Sequence, residues 1–158
     1  MTTEDETRMH KLAEVEEAKV LMNEAMDWSV FRWLFEKHRV RETADRANAV
    51  LDKTNRALKT RWPDNLKAAY KELTGRHQNG STNGIDPQIR LFVEKMKEAD
   101  DAAHRARMTA EATFDEAERQ LNTELAREGC RQAIHSWKLH EKAIRIAEGV
   151  PACIIARP

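Results

Sequence analysis

The sequence contains little glycine or proline, with five and four among 158 residues. Neither residue occurs between Thr7 and Arg61. Helix-forming Ala, Glu, Lys and Arg dominate instead, and 34% of the residues are charged. Because glycine and proline are the residues that most often end helices, their scarcity predicts long, uninterrupted ones.

Long apolar runs are also missing. The longest, "GVPACIIA" at 149–156, falls far short of the roughly 20 residues that a membrane-spanning helix needs. The polar, acidic start does not resemble a signal peptide. The two cysteines, Cys130 and Cys153, fit a reducing compartment, and a helix between them would hold them too far apart for a disulfide. We therefore expect a cytoplasmic protein without a membrane partner.

The chain has no excess of either charge, since 27 basic residues balance 27 acidic ones. A general nucleic-acid-binding protein would carry a surplus of Lys and Arg. Segment 37–61 does carry 8 basic and 3 acidic residues, a net charge of +5. This density is compatible with a nucleic-acid accessory protein, but a solvated helix face opposite an acidic helix is the more ordinary interpretation. We do not expect nucleic acid to be a partner.

Two long segments show the apolar periodicity of amphipathic helices. The first apolar stripe runs from Leu12 to Leu58 in steps of three and four, as in coiled coils. Its regularity fails at Met22, Met26 and Val30, where two steps of four follow each other and a supercoil would unwind locally. The second stripe, between 87 and 148, contains Phe114, Cys130, Ala133, Trp137 and Ile144, with a similar irregularity at 121–125.

Turn residues divide the chain into four parts: arm 8–74, loop 75–86, arm 87–148 and apolar tail 149–158. Pro63 favours a kink or a short extra helix ending at Gly75. Asp86 and Pro87 are typical of a helix start. Two arms of similar length predict an all-α fold built on a long antiparallel, coiled-coil-like hairpin. Residues i and j should then face each other where i + j is about 160, which sets basic 37–61 against acidic 99–123.

Candidate catalytic and metal-binding residues are sparse. His135 and His140 are five positions apart and do not share a helix face. Asp101 and His104 have the i, i+3 spacing of bundle metal sites, but the sequence offers no second pair of this kind. The "NGSTNG" segment lacks the lysine of a phosphate loop. We predict no enzymatic activity, no cofactor and no metal.

The aromatic residues are concentrated in "DWSVFRWLFEKHR" at 27–39, which holds four of the nine. Apolar side chains cover most of this helix circumference, so one opposing helix cannot bury them all. The predicted hairpin brings Trp137 and the apolar tail to the same end. We therefore predict that a homodimer completes a helical bundle there, through Trp28, Phe31, Trp33, Phe35 and Trp137.

Function is predicted only at the level of class. The expected class is a non-enzymatic structural or protein-interaction module, single-domain and homodimeric. The alternative is a helical bundle that binds a small molecule or metal between Trp28–Phe35 and His135.

Overall fold

The computed structural model describes residues 3–75 and 86–155, and side chains within 12–75 and 86–154. All the regular structure of these residues is helical, which confirms the all-α prediction. The helices are α1 (Thr3–Ala25), α2 (Val30–Thr60), α3 (Asp64–Thr74), α4 (Pro87–Gln120), α5 (Thr123–Glu148) and the single turn α6 (Ala152–Ile155). Among the described residues, no helix combines the length and apolar character needed to cross a bilayer.

Each predicted arm contains one break beyond the kink expected at Pro63, so the expectation of uninterrupted helices was wrong. The first break lies at 26–29, where the Ser29 hydroxyl caps α2 by accepting a hydrogen bond from the Arg32 N–H at 3.2 Å. The second lies at Leu121, whose left-handed φ of 53° ends α4. Asn122 then caps α5, with its side-chain oxygen 2.9 Å from the Glu124 N–H. Both breaks fall where the apolar periodicity is irregular.

The breaks fold the hairpin in half and leave its register intact. Helix α2 still runs antiparallel to α4, and Arg41 contacts Asp115 at 2.9 Å. Helix α1 runs antiparallel to α5, and Lys19 forms an ion pair with Glu141. Both pairs have residue numbers that sum to nearly 160, as predicted. The result is an up-down-up-down four-helix bundle within one chain.

The bundle has two apolar clusters. The larger runs along the interfaces of α1, α2, α4 and α5 and includes the buried Met22, Leu51 and Trp137. The smaller closes the far end, where α3 packs on α4, and includes Trp62, Leu66, Phe92 and Met96. The Trp62 indole N–H donates to the Ala147 carbonyl at 3.0 Å, which ties the start of α3 to the end of α5.

The predicted hairpin placed the apolar tail beside the aromatic segment. In the structure the tail packs instead at this far end of the bundle. Ile154 is fully buried in the smaller cluster. The reason is the break at Leu121, which reverses the second arm and returns its end toward Pro63. The short helix predicted after Pro63 is confirmed as α3, Asp86 caps α4 as expected, and most of loop 75–86 lies outside the described residues.

The left-handed backbone conformation of Leu121 should lower the free energy of unfolding relative to a glycine at this position. Its side chain is 76% exposed, and the left-handed region disfavours residues with a Cβ atom by about 1–2 kcal/mol. We expect Leu121→Gly to raise the free energy of unfolding in urea by about 1 kcal/mol. Leu91→Gly, at an exposed position inside α4, should lower it by about 1 kcal/mol. A loss of stability in both variants would contradict this account of the break.

Candidate functional site

The candidate site lies between α2 and α4. The backbones of these helices rarely approach closely, whereas α5 packs against both of them. Long side chains of α2 and α4 bridge the gap between these two helices, on the side of α5 that packs against them. We call this line of contact the α2–α4 seam. Arg41 reaches Asp115 and Glu118, at 2.9 and 3.0 Å, and Asp52 accepts from Arg107 at 2.5 Å. The predicted pairing of a basic α2 with an acidic α4 is thus present, and it leaves openings along the seam.

The first opening is an apolar groove near the two breaks. Val30, Leu34 and Val40 line it from α2, Phe114, Ala117 and Leu121 from the end of α4, and Ala126 from α5. Lys37, Arg41 and Glu118 add charged groups to its lining. Such a groove can accept an apolar side chain or an apolar ligand while keeping a charged rim.

The structure separates the five predicted interaction residues into two groups. Trp28, Trp33 and Trp137 lie in the bundle core, with at most 5% of their surface exposed. Phe31 and Phe35 face solvent, with 75% and 85% exposed. The tryptophans are therefore placed to shape the interior, with Trp33 also lining the groove, and the two phenylalanines are the ones that face solvent. Their role in binding stays a prediction.

Successive residues around α2 explain this separation. At about 100° per residue, Trp33 faces inward, Val30 and Leu34 lie beside it at the groove, and Phe31 and Phe35 lie further round. Trp33 packs edge-on against Trp28 with ring centroids 5.4 Å apart. Neither buried indole N–H has a hydrogen-bond partner among the described residues.

The second opening is a polar cleft of about 260 Å³ midway along the seam. Asp52, Asn55, Arg56 and Lys59 line it from α2, Asp100 and His104 from α4, and His140 from α5. Arg56 and His104 are exposed and lie at the mouth, whereas the buried His140 lies at the floor.

Asp100 is the centre of a hydrogen-bond network beside the cleft. Its Oδ2 accepts from the Lys59 ammonium and the Tyr70 hydroxyl, and its Oδ1 accepts from the Asn55 amide at 2.9 Å. Burial and this hydrogen bond to Asp100 raise the pKa of Tyr70. The network joins α2, α3 and α4, and it fully occupies the carboxylate.

His140, which the sequence pattern set aside because it does not share a helix face with His135, is a functional candidate in the folded chain. Burial lowers its pKa, with Arg107 and His104 acting in the same direction and Asp52 and Asp100 opposing them. Its Nε2 atom is buried and has no partner within the described part of the chain. The available signal was its spacing, because position 140 continues the stripe of Ala133, Trp137 and Ile144 with a polar residue.

The other predicted chemical groups do not come together. His135 is exposed, Asp101 forms an ion pair with Lys97 at 2.5 Å, and His104 lies at the cleft mouth. Within residues 3–75 and 86–155, no group of three His, Cys, Asp or Glu side chains is placed to hold a metal. Cys130 and Cys153 are not bonded to each other, and burial raises the pKa of Cys130 to about 12.

Comparison with known proteins assigns no relative. No family model, curated protein or solved structure matches the chain. Function must therefore be argued from the groove and the cleft themselves.

The buried His140 should make stability depend on pH. Below about pH 6.5, the unfolded chain binds a proton at this imidazole that the folded chain binds less readily, so the free energy of unfolding should fall as pH drops. We expect His140→Gln to flatten this fall between pH 7.5 and 5.5 in urea titrations. The exposed His38→Gln should retain it, and equal slopes in the two variants would contradict the prediction.

Proposed function

We propose that the chain is a non-enzymatic structural or protein-interaction module that forms a homodimer through the groove end of the bundle. The observation that carries the proposal is the exposure of Phe31 and Phe35 on α2, the helix whose Val30 and Leu34 line the apolar groove. Val30, Leu34 and Leu121 are also more than half exposed there. Contiguous apolar surface of this kind marks binding sites more often than scattered exposed residues do.

The shape of this surface supports a second copy of the chain as the occupant. A two-fold interface uses the same surface twice, so it must contain both a projection and a depression. Phe31 and Phe35, one helical turn apart, form the projection, and the groove beside Leu34 and Leu121 is the depression. Leu34 lines the groove and lies about one helical turn from Phe31, so the proposed two-fold rotation brings Phe31 of each copy to the edge of the groove of the other.

Charge complementarity supports the same arrangement. Residues 30–41 of α2 carry four basic groups and one acidic group, and residues 115–121 of α4 carry three acidic groups and one basic group. Ion pairs within the chain, such as Arg39 with Glu36 and Arg41 with Glu118, reduce these opposite net charges without cancelling them. In a two-fold dimer that apposes α2 of one copy with α4 of the other, opposite charges meet around the apolar centre. Such a rim contributes mainly to specificity and orientation. A cytoplasmic location, where thiols stay reduced, fits the two unpaired cysteines.

A small apolar ligand in the groove is the second candidate. It is favoured by Trp33, which lines the groove and whose buried indole N–H has no acceptor among the described residues, so the ligand would need one acceptor atom on an otherwise apolar body. A nucleic-acid role for 37–61 has less support, because Arg41 and Lys59 already pair with acidic residues of α4.

The dimer is tested by changing the exposed rings. We expect wild-type protein to show a concentration-dependent dimer in sedimentation equilibrium. Phe31→Glu and Phe35→Glu should each weaken it about thirtyfold, which corresponds to about 2 kcal/mol for an interface hot spot. Both side chains are exposed, so circular dichroism should show an unchanged fold.

Leu91→Glu is the matched control, since Leu91 is equally apolar, 70% exposed, and near the opposite end of the bundle. It should dimerise like wild type. A wild-type chain that remains monomeric at all concentrations, or a control that dissociates as readily as the phenylalanine variants, would overturn the dimer proposal.

A further inference from the structure

The polar cleft contains hydrogen-bonding groups that the protein itself leaves unused. Asp52 is paired with Arg107, and Asp100 is occupied by Lys59, Tyr70 and Asn55. Both carboxylates of the cleft are therefore engaged by neighbouring groups, although Asp52 shares Arg107 with Glu111. The lining groups without a partner are of a different chemical type from these two carboxylates.

The open groups are mainly donors. Arg56 lines the mouth from α2 and His104 lines it from α4. Neither has a hydrogen-bond or ion-pair partner among the described residues. His140 is 93% buried at the floor, as its 7% exposure implies, and its Nε2 has no partner. One unpartnered acceptor lies beside them, the buried Oδ1 atom of Asn55. A guanidinium and two imidazoles around one cavity are typical of sites for oxygen anions.

The cavity is large enough for such a ligand. Its volume of about 260 Å³ is several times the roughly 30 Å³ share of one water molecule in the liquid. A divalent metal is a poorer occupant, because the two nearby carboxylates are already engaged and no metal-binding group of three is found in the described residues. The charged groups that line the cleft sum to zero, because Arg56 and Lys59 balance Asp52 and Asp100. Arg56 is nevertheless the charged lining residue without an ion-pair partner among the described residues, and this favours a negative ligand.

We propose that the polar cleft binds a small oxyanion, the phosphate or carboxylate group of a small molecule, between Arg56, His104 and His140. The anion oxygens accept hydrogen bonds from Arg56 and His104 at the mouth and, after rotation of its buried ring toward the cleft, from His140 Nε2. Since the three donors come from α2, α4 and α5, the bound anion joins three helices. Binding at this site is separate from the groove and does not depend on the dimer.

Calorimetric titration with inorganic phosphate and with lactate tests this site, at pH 7 and constant ionic strength set with sodium chloride. We expect saturable binding of at least one of them to wild-type protein, and the arm that binds identifies phosphate or carboxylate as the preferred group. Loss of one charge-assisted hydrogen bond in Arg56→Gln should weaken affinity at least about tenfold. His104→Gln should weaken it as well.

Arg46→Gln is the matched control, because Arg46 is an exposed arginine of the same helix that does not line the cleft. It should bind like wild type. His140→Gln alters a buried position, so His140 is best followed in wild-type protein, where its imidazole Nε2 resonance should shift with the same saturation curve. Absence of saturable binding of both anions would overturn the proposal. Equal affinity in wild type, Arg56→Gln and His104→Gln, or a silent His140 resonance, would also overturn it.

Discussion

The buried hydrogen bond between Trp137 and Asn48 is the interaction on which the arrangement of the bundle most depends. The indole N–H donates to Asn48 Oδ1 at 2.8 Å, and the Trp137 side chain is fully buried. This bond holds α5 against α2. On the other side of α5, Gly129 lets the ring of Phe114 approach so closely that an added Cβ would lie 2.7 Å from it. Helix α5 is thereby fixed to α2 and α4 together.

Both candidate sites follow from that position of α5. Helix α5 packs against both α2 and α4, whereas these two helices make few close backbone contacts with each other, so arginine and lysine side chains span the gap between them. Where the facing residues are small or apolar, the gap is a groove. Where they are charged, it is a cleft with His140 as its floor. A single packing constraint therefore creates two openings of different chemistry.

Much of the fold could be predicted because it depends on local spacing. The apolar stripes, the cap at Asp86 and the helix after Pro63 are set by residues close together in sequence. The register of the arms was also predictable, because opposite charges are distributed at matching distances from the loop. The candidate sites were harder to predict from the sequence. Phe31 and Phe35 were recognised, but they could not be separated from Trp28 and Trp33 before their burial was known.

The sequence by itself determined the helical class, the pairing of α2 with α4 and the positions where periodicity fails. Tertiary structure decided what happens at those positions. Two consecutive four-residue steps are compatible either with local unwinding of a continuous helix or with a break at which the chain reverses direction. The reversal is favoured here because the reversed helix buries additional apolar surface. Folding back buried three tryptophans within one chain, left two phenylalanines outside, and carried His140 beneath the ion pairs of the seam. These outcomes depend on contacts between residues far apart in sequence, which no local pattern records.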